Sequence, residues 1–346
     1  MSIEKTQSAT IAAAGDLIGK TAIVTGGNCG LGFECARQFL DRGLDKLILA
    51  VRDEAKGAAA KETLIAHCAG SAAIISLPAI EVWNLDYYSY DSILRFVART
   101  QELTNLDIVV LNAGSYRLCH TTVPATSHEE GIQVNYLSTA LLTILLLPVL
   151  EAKRSSQGLP GRLTLVNTEI AAKSKFKPKL KPKTTDDDDD YSLLKPLDSV
   201  PQSKKFDHYD QYCTSKLLAQ FFVAELVRRV PASVAVVDCV NPGLCYGSRL
   251  ARDGDGTWVG WLVGILFRIF GTSCAVGAKS LVDAAVAHDS SEVHGQYLDR
   301  GKISRFAPIV YTPEGQAIAH RLWKEMMTEF SFTDAEKIID ELSSRS

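Results

Sequence analysis

Two side chains four positions apart, Tyr212 and Lys216, fall on one face of the helix that the apolar pattern predicts over 209–230. A free tyrosine titrates near ~10, too high for a base at neutral pH. An ammonium one turn away stabilises the phenolate and lowers that value. The pair is therefore suited to moving one proton to or from an oxygen. Taken alone, the spacing equally describes two polar residues facing solvent. Leu217, Leu218, Phe221 and Phe222 supply the buried side of the helix.

A second chemical signal lies in Thr21–Leu40, TAIVTGGNCGLGFECARQFL. Ala22, Ile23 and Val24 make a short buried strand, and Phe33, Ala36, Phe39 and Leu40 recur at helical spacing. Between them Thr25, Gly26, Asn28, Cys29, Gly30, Leu31 and Gly32 form a turn. Gly26 permits the tight bend, Gly30 lets the backbone approach a diphosphate, and Gly32 lets helix and strand pack closely. The helix N-terminus then faces the anion. A glycine-rich loop without a ligand is the alternative. Lys46–Val51 reads as the next buried strand, followed by Arg52 and Asp53 at a helix start. In a dinucleotide fold a carboxylate at this strand end would hold the adenosine ribose hydroxyls, but Val51 stands there. A guanidinium at Arg52 can clamp a 2′-phosphate instead, which predicts NADPH/NADP+ over NADH. The alternative is a surface arginine beginning a helix.

These residues need a frame. A third strand is expected over 73–80, interrupted by Pro78, with Asn84-Leu85-Asp86 beyond it. Asp107–Leu111 is the fourth strand and ends in Asn112-Ala113-Gly114. Ser127-His128-Glu129-Glu130 has the capping-box pattern for a long helix that carries Asn135 in its apolar face. Arg162–Val166 is the fifth strand and releases Asn167-Thr168-Glu169 at its end. Val234–Val240 is the sixth, followed by Asn241-Pro242-Gly243. A helix over 273–288, a last strand over 296–299, a helix capped by Thr312-Pro313 and an exposed helix over 333–343 complete the chain. Strands alternating with helices specify an α/β doubly wound parallel sheet, a Rossmann fold.

In this order the motifs resemble the short-chain dehydrogenase/reductase family, over roughly 20–312, and more loosely its retinol-dehydrogenase-like and carbonyl-reductase-like branches. The glycine turn T-G-x-x-x-G-x-G, the N-A-G triplet Asn112-Ala113-Gly114, Tyr212-x-x-x-Lys216 and Pro242-Gly243 carry the likeness. The resemblance implies that Asp86 receives the adenine amino group and that Asn112, Ala113 and Gly114 pass under the cofactor ribose. It implies that Asn135 holds a water beside Lys216, and that Thr168 stands where the family has a serine that binds the carbonyl oxygen. Pro242 and Gly243 would flank the nicotinamide, and Ser248 would replace a threonine at a spacing one residue longer than usual. The implied reaction is reversible hydride transfer between the nicotinamide and a ketone or aldehyde on an apolar molecule, with Tyr212 as general acid or base. Two further readings stay open: a cofactor-binding protein without turnover, and a membrane-surface interaction protein.

Composition sets bounds. The chain has 346 residues and a net charge of −3, with nothing resembling a nucleic-acid surface. Its eight cysteines form no C-x-x-C, which predicts reduced thiols, a cytoplasmic setting and no metal site. Residues 1–17 read as a loose arm without a signal pattern, 18–312 as one catalytic domain and 313–346 as a helical tail. Within the domain, 173–208 carries KSKFKPKLKPK and then TTDDDDD, which predicts a mobile charged insertion with little to offer a core. It would act as a flap over the substrate, as a shield against subunit pairing, or as nothing more than a loop, so oligomeric state stays open. The segment 247–271 contains Trp258, Trp261, Leu262, Ile265, Leu266 and Phe270. It reads as a pocket wall, a buried helix pair or a shallow peripheral membrane contact.

Overall fold

The computed structural model describes residues 17–71, 77–154, 158–178, 192–199, 205–248, 250, 253 and 268–344. Its elements are β1 (Thr21–Thr25), α1 (Gly30–Leu40), β2 (Lys46–Val51), α2 (Glu54–Gly70), β3 (Ala79–Asn84), α3 (Tyr90–Thr100) and β4 (Ile108–Leu111). There follow α4 (Glu130–Ala152), β5 (Gly161–Val166), α5 (His208–Leu226), β6 (Ala235–Asn241) and α6 (Cys274–Val286). The chain closes with β7 (Tyr297–Asp299), β8 (Lys302–Ser304), α7 (Pro313–Glu329) and α8 (Ala335–Ser343).

One sheet of eight strands runs β8-β7-β6-β5-β4-β1-β2-β3. All pairings are parallel except that of β8 with β7. A parallel sheet is covered on both faces, so its inner strands are apolar on both sides. Strand period assigns the sides: Ile23, Ile48, Ala50 and Val237 face the layer of α3, α4, α5 and α7. Ala22, Val24, Leu47, Leu49, Val236 and Val240 face α1, α2 and α6. The strand order reverses between β1 and β4, and the crevice at that switch point is where such sheets bind ligands.

Four expectations are corrected. The third strand is Ala79–Asn84, starting just after Pro78, whose missing N–H cannot join the ladder; residues 72–76 lie outside the described part. Ser127 is not the cap of α4: it takes a left-handed φ of 64°, and Glu129 caps the helix by accepting from Ile132 N at 3.1 Å. β8 is wholly exposed and so left no apolar signature. The last helix is not exposed all round, because Ala335, Ile339 and Leu342 are buried against α4. α4 itself is long and apolar enough to cross a membrane, but it is buried inside the protein as a core helix.

The charged insertion also has a core contribution that its composition concealed. Residues 179–191 and 200–204, including the acidic run, lie outside the described part. Leu193 and Leu194, however, are buried in the main core. Glu325 of α7 accepts from Ser192 Oγ at 2.7 Å and from Leu193 N at 2.9 Å. Asp198 accepts from Glu129 N at 2.9 Å and lies 2.8 Å from His128 Nδ1. On its other side His128 Nε2 is 3.3 Å from Glu329, which also accepts from Tyr90 OH. Burial alone would lower the His128 pKa, but the two carboxylates prevail and raise it to about 9.

This clamp makes a pH-dependent contribution to stability. The folded pKa lies above the ordinary 6.5, so the contribution is complete below that pH and is lost as pH rises through about 9. Its upper size is about 3 kcal/mol. Urea unfolding of wild type and His128→Gln should therefore show wild type more stable at pH 6 and the difference closing by pH 9.5. A difference independent of pH would show that the clamp is not charged.

Candidate active site

The glycine turn leaves β1 at its C-terminal end. Gly26 N donates to Ala50 O at 2.8 Å, and Gly26 and Gly30 both take left-handed φ values, 64° and 56°. Cys29 is the N-cap residue of α1, its side chain does not cap the helix, and the first turn of α1 carries no acidic residue. Its N–H groups thus face outward as an anion site, with Asn28, Cys29 and Leu31 half-buried along the rim. A Cβ on Gly32 would stand 2.5 Å from Asn112 Nδ2 and 2.6 Å from Gly26 O. Turn, helix and β4 are therefore packed as closely as bare backbone permits, a cradle that fits a dinucleotide diphosphate.

The N-A-G triplet fixes this cradle from the neighbouring strand. Asn112 Nδ2 donates to Thr25 O at 2.9 Å, and Ala113 N donates to Thr25 Oγ1 at 2.9 Å. Just beyond β2 Arg52 is exposed, with its guanidinium 4.8 Å from the centre of the Tyr88 ring. Asp86 accepts from Tyr88 N at 3.0 Å and so positions that ring. Tyr88 as the platform under Arg52 was not anticipated; its proximity to Asp86 in sequence was the available signal.

Tyr212 and Lys216 lie on α5 beside the ends of β4, β5 and β6. Lys216 is buried and donates from Nζ to Val166 O at 2.9 Å. Burial lowers its pKa to about 8, so the ammonium form still dominates at pH 7. Its Nζ is 5.9 Å from the centre of the Tyr212 ring. Burial, with Cys213 and Tyr116 nearby, raises the Tyr212 phenol well above its ordinary value. This departs from the expectation that Lys216 lowers it: the ammonium is held against a carbonyl, and desolvation decides. A methyl on Gly114 would meet Asn135 Oδ1 at 3.2 Å and Lys216 Nζ at 3.8 Å. The small triplet thus keeps the front of the lysine open.

Asn135 lies in a π-helical stretch, Gln133–Ser138, of α4. It donates to Ser115 O at 2.8 Å and Ser215 Oγ at 2.9 Å, and accepts from Ser115 N at 2.9 Å. The side chain is a clamp between the loop after β4 and the residue preceding Lys216. Thr168 begins a single turn of 3₁₀ helix and accepts from Ile170 N at 3.4 Å, leaving its O–H proton to donate. Its neighbour Asn167, missed from the sequence, is buried and donates to Lys216 O at 3.1 Å while accepting from Thr168 N and Gln220 Nε2. Tyr116 and His208 were also missed: Tyr116 stands edge-on to Tyr212 with ring centres 5.0 Å apart. His208, Tyr212 and Lys216 recur every fourth residue, the signal that was available for His208.

After β6, Gly243 takes φ 77° and donates to Asn241 Oδ1 at 3.0 Å, turning Pro242 and Gly243 back across the strand ends. Ser248 lies against the glycine turn, since a Cβ on Gly30 would meet its Cα at 3.2 Å. The aromatic segment beyond it falls outside the described residues except for Leu250, Asp253 and Arg268–Gly271, so Trp258, Trp261, Leu262, Ile265 and Leu266 receive no structural account.

Residues 20–159 match the family model of short chain dehydrogenases. The chain is 42% identical to the short-chain dehydrogenase fogG of Aspergillus ruber over 329 residues, 95% of this chain and 90% of that one. It is 42% identical over 326 residues to the short chain dehydrogenase/reductase mfmJ of Annulohypoxylon moriforme, covering 93% and 88% of the two. A 3-oxoacyl (acyl-carrier-protein) reductase of Agrobacterium tumefaciens, solved with NADP bound, shares the fold at TM-score 0.57 and 17% identity, covering 87% of this chain and 99% of that one. The Pseudomonas aeruginosa RhlG/NADP complex does so at TM-score 0.54 and 20% identity, covering 82% and 95%.

The packing at Gly32 gives a direct test. Gly32→Ala would force backbone atoms apart, so it should lower thermal stability and abolish cofactor binding together. A Gly32→Ala protein with normal melting and normal cofactor titration would contradict the described contact of α1 with Asn112.

Proposed function

The chain belongs to the short-chain dehydrogenase/reductase family, and from that premise we propose that it is an NADPH-dependent reductase of a ketone or aldehyde on an apolar molecule. The observation that supports this reading is that Tyr212 and Lys216 share one face of α5, with Lys216 Nζ bonded to Val166 O at the end of the strand that releases Thr168. Gly26, Gly30 and Gly32 with the α1 N-terminus would hold the diphosphate. Asn112, Ala113 and Gly114 would lie beneath the ribose, Asp86 near the adenine, and Pro242 and Gly243 beside the nicotinamide. Arg52 on its Tyr88 platform supports a 2′-phosphate. NADPH, when bound, supplies the hydride.

The residues of the chain then manage the oxygen. Thr168 donates its O–H to the carbonyl and stabilises the charge that develops there. Tyr212, kept protonated by burial, gives that oxygen its proton. Lys216 provides positive charge behind the phenol, and Asn135 and Asn167 fix the lysine by holding Ser215 Oγ and Lys216 O. The eight unbridged cysteines support a cytoplasmic setting, and the exposed Ile269 and Phe270 support a weak peripheral membrane contact.

Tyr212→Phe should reduce turnover of a carbonyl substrate by about 10²–10⁴-fold while leaving NADPH binding unchanged. Arg52→Asp should weaken NADPH binding by about 10–100-fold and leave NADH binding nearly unaltered. Near-wild-type turnover by Tyr212→Phe would overturn the proton-donor assignment. NADPH binding with no turnover across a broad carbonyl panel would favour a binding protein of the same fold.

A further inference from the structure

The loop after β4 is joined to the start of α5 by two aromatic couples. His120 and Phe206 meet edge-on with ring centres 5.5 Å apart. Tyr116 meets both His208, at 5.7 Å, and Tyr212, at 5.0 Å. Tyr116 OH lies 2.8 Å from His208 Nδ1. These contacts set Tyr116 against the Tyr212 ring and against His208, one helical turn before it on α5.

The couple leaves hydrogen-bonding capacity in either tautomer. If Tyr116 donates to Nδ1, His208 keeps an Nε2–H donor. If Nδ1–H donates to the phenol oxygen, Tyr116 keeps its O–H donor and His208 an Nε2 acceptor. No other partner of His208 occurs among the described residues. Burial raises the Tyr116 phenol above its usual value, so the group it offers is neutral. Such a site offers a hydrogen bond to an oxygen placed beside it. Rings from both segments supply an aromatic wall around it.

We propose that the Tyr116–His208 couple determines specificity by hydrogen-bonding a second oxygen, hydroxyl or carbonyl, on an aromatic ketone or aldehyde. His208 precedes Tyr212 by one helical turn, ~6 Å along α5, which sets the scale of the separation between this oxygen and the one that Tyr212 protonates. A hydroxyl meta to the reacting carbonyl on one ring meets that spacing. The proposal deepens the reductase reading and rests on it for the position of the reacting carbonyl.

The test is calorimetric binding of 3-hydroxyacetophenone and acetophenone to the NADP+-loaded full chain. Wild type and Tyr212→Phe should both bind the hydroxylated ketone about five- to tenfold tighter, the range of one net hydrogen bond. Tyr116→Phe and His208→Leu should bring the ratio close to one without changing the affinity for acetophenone. Equal affinities in wild type, or a preference that survives both substitutions, would overturn the proposal. NADPH oxidation with each ketone is followed in parallel. A binding preference that depends on Tyr116 without any turnover would sustain the couple's role and overturn the reductase reading instead.

Discussion

Where a buried parallel strand stops, its last peptide groups lose their ladder partners and must find others. In this protein three asparagine side chains supply much of that replacement. Asn112 binds Thr25 O at the end of β1, Asn167 binds Lys216 O from the end of β5, and Asn135 binds Ser115 at both its N and O. Each amide joins two elements that are distant in sequence. Asn112 closes the glycine turn, while Asn135, through Ser215, and Asn167, through Lys216, fix α5 against the sheet. An amide suits this task because it donates and accepts at once without a charge to desolvate.

The same buried setting governs the titrating pair. Lys216 is relieved of part of its desolvation by Val166 O, yet its pKa still falls to about 8. Among the described residues no carbonyl or charge does the same for Tyr212, which burial drives toward its neutral form. The pair is thus electrostatically asymmetric, an acid that keeps its proton beside a cation near the edge of keeping its own. That asymmetry suits donation of a proton to a developing alkoxide.

Legibility in the sequence followed the strength of local signals. β1, β2, β4, β5 and β6 are predominantly apolar, buried runs, and their order and approximate bounds were readable because burial on both faces permits little else. The glycine turn and the Tyr212–Lys216 spacing were readable because each obeys a short-range geometric rule. Asn167, Tyr116 and His208 were not, since each matters through a partner 49 to 96 positions away. Edge strands failed for a related reason: β3 and β8 are partly or wholly exposed, so alternation and Pro78 were weak guides. The insertion misled through composition, because two buried leucines and one carboxylate anchor do not show beside a long charged run.

The central claim is that the turn after β1, closed by Asn112 and opened by three glycines, accepts a dinucleotide phosphate and aligns it with Tyr212. The most direct measurement is a fluorescence titration of the purified chain with NADPH, following the nicotinamide emission, with NADH in parallel. The account predicts saturable binding of one NADPH per chain, with NADH binding distinctly weaker. Failure of both nucleotides to bind would contradict it, leaving the fold intact but the glycine turn without its ligand.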